Sequence, residues 1–161
     1  MRYIHRDGDD SIMFGRYLEA LATYRAKLPE GVAQFAGDQE RFMLSHPKSL
    51  HDARLERATI TETPGNEESP SSVGVELIFV GQDGDRRIRL NYRSVARYEI
   101  RGTRERLDWH ESFHGDIYTH EVRVGDSGGV VHEILFESDS TIEIECVDFR
   151  VDDEIHKQNQ G

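Results

Sequence analysis

A single cysteine, Cys146, stands in 161 residues, so no internal disulfide framework holds this chain together. Long apolar runs are equally scarce. Leu77-Ile78-Phe79-Val80 is among the longest, far short of the roughly 20 residues that a membrane-spanning helix needs. The opening Met1-Arg2-Tyr3-Ile4-His5-Arg6-Asp7 has no apolar stretch of the secretory kind. The expected compartment is therefore the cytoplasm, with no membrane partner. Basic residues are outnumbered, 20 Lys and Arg against 31 Asp and Glu, for a net charge of −11. That field repels a nucleic-acid backbone or an anionic membrane and suits a basic protein or a small cation, although acidity also serves solubility alone. With 36% of residues apolar and 32% charged, only strict patterning can build a core.

What is present reads as one domain over residues 1–161, helical over 1–48 and β over 49–151, with a tail at 152–161. Phe14, Tyr17, Leu18, Leu21, Tyr24 and Leu28 recur at spacings of three and four, which is one face of a helix. Asp10 or Ser11 can cap its start, and Pro29-Glu30-Gly31 interrupts it. Val32, Phe35, Ala36, Phe42 and Met43 predict a second helix ending before Pro47. A strand is expected over 51–63, followed by a flexible loop over 64–72 rich in Pro, Gly, Ser and Glu.

Two registers follow from pattern. With Asp83-Gly84 at a hairpin turn, Val75, Leu77 and Phe79 fall opposite Tyr92, Leu90 and Ile88 and form one apolar face. A further strand is expected from Val95 to Ile100. With turns at 125–129 and 138–140, Tyr118, His120, Val122, Val124, Val130, His132, Ile134, Phe136, Ile142, Ile144 and Cys146 share a face. The reverse face, with Glu121, Arg123, Glu133, Glu143 and Glu145, is expected to be mostly solvated. The fold class is α+β: two N-terminal helices packed on an antiparallel meander of about six or seven strands.

Met1-Arg2-Tyr3, the helix carrying Tyr17-Leu18-Glu19 up to Leu28-Pro29, the junction Ser49-Leu50-His51-Asp52-Ala53 and the closing Val131-His132-Glu133-Ile134-Leu135-Phe136 through Asp148-Phe149 resemble a group of uncharacterised bacterial proteins. The resemblance implies a bacterial cytoplasmic α+β protein without an assigned activity.

Four constellations carry candidate chemistry. His110-Glu111-Ser112-Phe113-His114 fits H-E-x-x-H, in which two imidazoles one helical turn apart hold zinc and the glutamate activates water. His120 follows at the metzincin interval, but Ile117 stands where those proteases need glycine, and no methionine follows. The competing reading is a short turn or loop anchored by Leu107, Trp109 and Phe113. His132 and Cys146 are expected directly opposite each other with His120 diagonal, roughly 5 and 7–8 Å apart, as a soft-metal or thiol site, or simply as core. His51-Asp52, where helices give way to sheet, is an oriented base or a turn. Arg86, Arg87, Arg89, Arg93, Arg97, Arg101, Arg104 and Arg106 form a basic strip for an acidic partner or RNA, or pair with glutamates of neighbouring strands.

No coherent catalytic set emerges. The leading expectation is a non-enzymatic protein-interaction module, an immunity-like inhibitor of a basic partner being one version, with no cofactor. One alternative is a zinc hydrolase with His110, His114 and His120 as ligands and Glu111 as base. The other is a small-ligand binder with its pocket between helices and sheet.

Overall fold

The computed structural model describes residues 1–4, 10–43, 46–81, 84, 86–102 and 113–155. Helix α1 (Asp10–Tyr24) and helix α2 (Glu30–Gly37) are joined by a 3-10 turn at Arg25–Lys27, with Pro29 at the N-cap of α2, where its missing N–H costs nothing. The second helix is shorter than the pattern predicts. It stops at Gly37, Asp38 caps a 3-10 turn at Gln39–Arg41 by accepting from the Glu40 N–H, and Phe42 and Met43 therefore leave the helix. Among the described residues no helix is long and apolar enough to cross a membrane.

Six antiparallel strands follow: β1 (Arg54–Thr63), β2 (Ser72–Val80), β3 (Arg86–Arg101), β4 (Ile117–Val124), β5 (Val130–Phe136) and β6 (Thr141–Ile155). Their order is β1-β2-β3-β6-β5-β4, so two three-stranded meanders join through the long β3–β6 pair rather than forming one continuous meander. The chain is α+β, as expected, with six strands. Val75, Leu77 and Phe79 pair with Tyr92, Leu90 and Ile88 as read from the pattern. Gly84 takes the positive φ of 68° for which glycine suits such a turn; Asp83 lies outside the described residues.

Three details correct the sequence reading. The strand expected at 95–100 is the continuation of β3, which passes Ser94 at φ 50° and shifts register between Val95 and Arg97. This bulge changes which parity faces the core and so breaks the apparent period. The first strand starts at Arg54, because residues 51 and 52 form a turn with Asp52 at φ 62°. At its other end the sheet continues past 151, since β6 runs to Ile155.

The sheet curls until its two edges meet at one end. There Asp52 donates its N–H to the Ile117 carbonyl, Ile117 donates to Ala53, and Arg54 bridges Asp116. The helices cover the concave face. Tyr17 and Leu21 of α1 and Val32, Phe35 and Ala36 of α2 are buried against Leu77, Leu90, Val122, Ile134, Ile144 and Phe149. Edge strand β4 does not expose Val122: its N–H donates to the Tyr17 hydroxyl, and its carbonyl accepts from the Tyr24 hydroxyl. Such capping blunts an edge that would otherwise invite another strand.

The reverse face is less solvated than expected. Glu121 is fully buried because residues 1–4 lie over it, and its carboxylate accepts from the N–H groups of Arg2, Tyr3 and Ile4 at 2.6, 2.9 and 3.1 Å. Glu133 is also buried, with the Met1 nitrogen 2.5 Å away. Elsewhere the arginine strip is paired across strands: Arg87 with Glu56, Arg89 with Glu76, Arg93 with Asp148, Arg97 with Glu143. Arg104 and Arg106 lie outside the described residues.

Candidate functional site

Two buried arginines fix the segment that links helices to sheet. Arg86 donates to the carbonyls of His46 and Ser49, both at 2.8 Å. Arg41 donates to the Lys48 carbonyl and makes a bidentate pair with Asp153 at 2.8 and 2.6 Å. This stitching holds Phe42 on one side and His51 on the other of a cavity of about 350 Å³. Ile4, Phe14, Phe42, Met43 and Tyr118 give it an apolar lining, with Gln39, Arg41, His51, Thr119 and His120 as polar members. Its size is near the lower end of the roughly 300–1,000 Å³ typical of small-molecule sites.

The floor is His120, which leads into a buried hydrogen-bonded chain. His120 Nδ1 lies 3.2 Å from His132 Nε2, and His132 Nδ1 lies 2.7 Å from the Tyr92 hydroxyl. Aromatic rings clamp the chain: Phe42 stacks on His120 at 4.2 Å, Phe149 stacks on His132 at 5.2 Å, and Phe35 touches both imidazoles. Desolvation governs the titration of all three groups. It pushes His132 down to about 3 and His120 well below the usual imidazole value, with His132 and Arg41 adding to the latter shift. It raises Tyr92 well above the usual phenol value. Both imidazoles are therefore neutral at neutral pH.

At its His120 end the chain is incomplete. His120 is 1% exposed, yet its Nε2 has no hydrogen-bond partner among the described residues. The Arg41 carbonyl lies near enough to favour a proton on that ring without forming an aligned bond. Arg41 Nε is likewise buried without a hydrogen bond, its nearest acid being Asp38 at 3.7 Å. His51 Nδ1 lies 2.7 Å from Asp52 Oδ1, but without the alignment of a hydrogen bond. Three buried nitrogens without an aligned hydrogen bond thus belong to residues lining one cavity, where a nitrogen left bare costs about 1–3 kcal/mol.

A wider groove of about 690 Å³ on the opposite sheet face is a weaker candidate. Its three glutamates are already engaged. Glu143 pairs with Arg97 at 2.5 Å and with Arg123 at 2.8 Å, Glu133 with Arg123 at 3.5 Å, and Glu145 with Arg97 and the Ser127 hydroxyl.

The residues singled out from sequence separate into groups. His120 and His132 come together as expected, in diagonal positions. Cys146 is not opposite His132: it pairs with Val130, and His132 pairs with Ile144. The turn closes from the Phe136 N–H to the Ser140 carbonyl, which slides the register by two residues and preserves the shared face. Burial pushes the Cys146 thiol up to about 12, so it is an unreactive core thiol. His51 and Asp52 sit at the seam beside the cavity.

His110 and Glu111 lie outside the described residues. His114 lies in a bend before Gly115 (φ 71°), packs on Phe113 and Phe136, and is held below the usual imidazole value by desolvation. Among the described residues no three of His, Cys, Asp and Glu converge as metal ligands do. Arg41, Phe42, Tyr92 and Phe149 were not anticipated in the site. Only Tyr92 left a trace in the sequence, as a polar-tipped ring on an apolar face. No protein-family model, curated protein or solved structure matches the chain.

Proposed function

We propose that this protein binds a small, largely apolar molecule in the cavity between the helical segment and the sheet, holding one polar group of it against His120. The observation that carries this reading is the buried, unpartnered Nε2 of His120, a residue lining a largely apolar cavity. A native fold seldom leaves such an atom bare without a use for it. This reading is preferred to capture of a basic protein because acids on the sheet are paired with arginines of neighbouring strands rather than presented as an open field.

Backbone amide NMR during titration with 1-phenylethanol, beside its apolar analogue cumene, tests it. The alcohol should saturate, shift amides of Phe14, Phe42, Tyr118 and Thr119, and bind about tenfold more tightly than cumene, the ratio that one satisfied hydrogen bond supplies. In His120→Phe the preference for the alcohol should vanish. Scattered or absent shifts, or equal affinities in the native protein, refute the proposal.

A further inference from the structure

The ligand-binding reading leaves open whether the polar group of the ligand donates or accepts, and the buried chain behind His120 carries that answer. Each imidazole is neutral, so each has one protonated and one bare nitrogen. The three-member chain then has two self-consistent polarities. In the first, Tyr92 donates its hydroxyl proton to His132 Nδ1, His132 Nε2–H donates to His120 Nδ1, and His120 carries its remaining proton on Nε2. In the second every bond is reversed: His120 Nδ1–H donates to His132 Nε2, His132 Nδ1–H donates to the Tyr92 oxygen, and His120 Nε2 is a bare lone pair.

The two are not equivalent at the Tyr92 end. Tyr92 is 2% exposed, and His132 is the one hydrogen-bond partner of its hydroxyl among the described residues. In the reversed polarity the buried hydroxyl proton has no acceptor among the described residues, and His120 Nε2 is unsatisfied as well. In the forward polarity every proton inside the chain is used, and the one unpaired group is the Nε2–H of His120, a residue that lines the cavity. An unpaired buried donor is costly, so the forward polarity prevails. Arg41 adds a nitrogen that can only donate.

We propose that Tyr92, two side chains away from the cavity, fixes His120 as an N–H donor, so that the site selects ligands bearing a hydrogen-bond acceptor, such as a carbonyl, and rejects those that offer only a donor. Tyr92 is a positioning residue here. It touches no ligand and acts through the tautomers of His132 and His120. The inference rests on the ligand-binding reading, but its first test needs no ligand.

Nitrogen-15 NMR of the histidine side chains in the native protein should show both His120 and His132 protonated at Nε2 and bare at Nδ1. Protonation of either ring at Nδ1 instead overturns the proposal, whatever the protein binds. The second test compares acetophenone, which only accepts, with indole, which only donates. The native protein should prefer acetophenone by about tenfold or more. Tyr92→Phe removes the donor that sets the polarity, so that ratio should fall towards one while a second tautomer of His120 appears. An unchanged ratio and unchanged tautomers in Tyr92→Phe, or an indole preference in the native protein, overturn the proposal. If Tyr92→Phe does not fold, the native tautomers and the native preference still decide it. If neither probe binds while the tautomers are as stated, the ligand-binding reading fails and the assigned polarity stands.

Discussion

Acidification should destabilise this protein through its two buried imidazoles. A histidine in the unfolded chain titrates near pH 6.5, whereas burial holds His132 at about 3 and moves His120 in the same direction. Between those values the unfolded chain binds protons that the folded chain refuses. Stability is therefore fully present above about pH 6.5 and is lost as the pH falls towards the folded value. At about pH 4.5, two units below the unfolded value, His132 alone removes about 2.7 kcal/mol, and His120 acts in the same direction. That is a large share of the stability of a small domain, about 5–15 kcal/mol.

The assay is urea denaturation at stepped pH for the native chain and for His132→Gln, whose amide still accepts from Tyr92 but does not titrate. Carboxylates affect both proteins alike, so the difference isolates the imidazole. Between about pH 4.5 and 6 the native chain should lose stability more steeply than the variant by about 1.4 kcal/mol per pH unit, the value of one proton. Equal slopes would refute the reasoning, because they require His132 to protonate as readily in the folded chain as in the unfolded one.

Three further outcomes follow from the packing. In Gly81→Ala the new Cβ would lie 2.5 Å from Arg86 Nε and 2.6 Å from its Cγ, while two carbonyls hold the guanidinium in place; a loss of about 1–3 kcal/mol is expected in chemical denaturation. Arg41→Leu strands Asp153 and the Lys48 carbonyl and should cost about 3 kcal/mol. Because Arg41 also lines the cavity, 1-phenylethanol affinity should fall with it. Glu121→Gln keeps one acceptor oxygen but sets an amide NH₂ against the Arg2 N–H, or against those of Tyr3 and Ile4, and should cost about 2–3 kcal/mol, with faster amide hydrogen exchange at Arg2, Tyr3 and Ile4 than elsewhere. Exchange that speeds up uniformly would contradict the local account.

The elements legible from sequence were those whose evidence is local. The β2–β3 register could be read because Val75, Leu77 and Phe79 admit one partner set across a Gly-containing turn. The β5–β6 register was misread by two residues, a slip that alternation cannot detect because it returns every side chain to the same face. Only the closure from Phe136 to Ser140 decides it. The pairing of β3 with β6 joins strands far apart in the chain, and no pattern in either announces the other. Glu121 read as solvated because its partners are backbone N–H groups, which leave no mark in a sequence.

The site shows the same division. His120 and His132 were placed on one face by alternation alone. Their meaning depended on Tyr92 from β3, on Phe42 from beyond the end of α2, and on Arg41 bridging to β6, all brought in by long-range packing.

The most direct test of the central claim is the His120 Nε2–H resonance itself, followed in the native protein as acetophenone is added. The account predicts a saturable shift of that resonance towards a stronger hydrogen bond, with cumene producing none. A native protein in which acetophenone saturates without moving that resonance, or in which His120 Nε2 carries no proton, would contradict it.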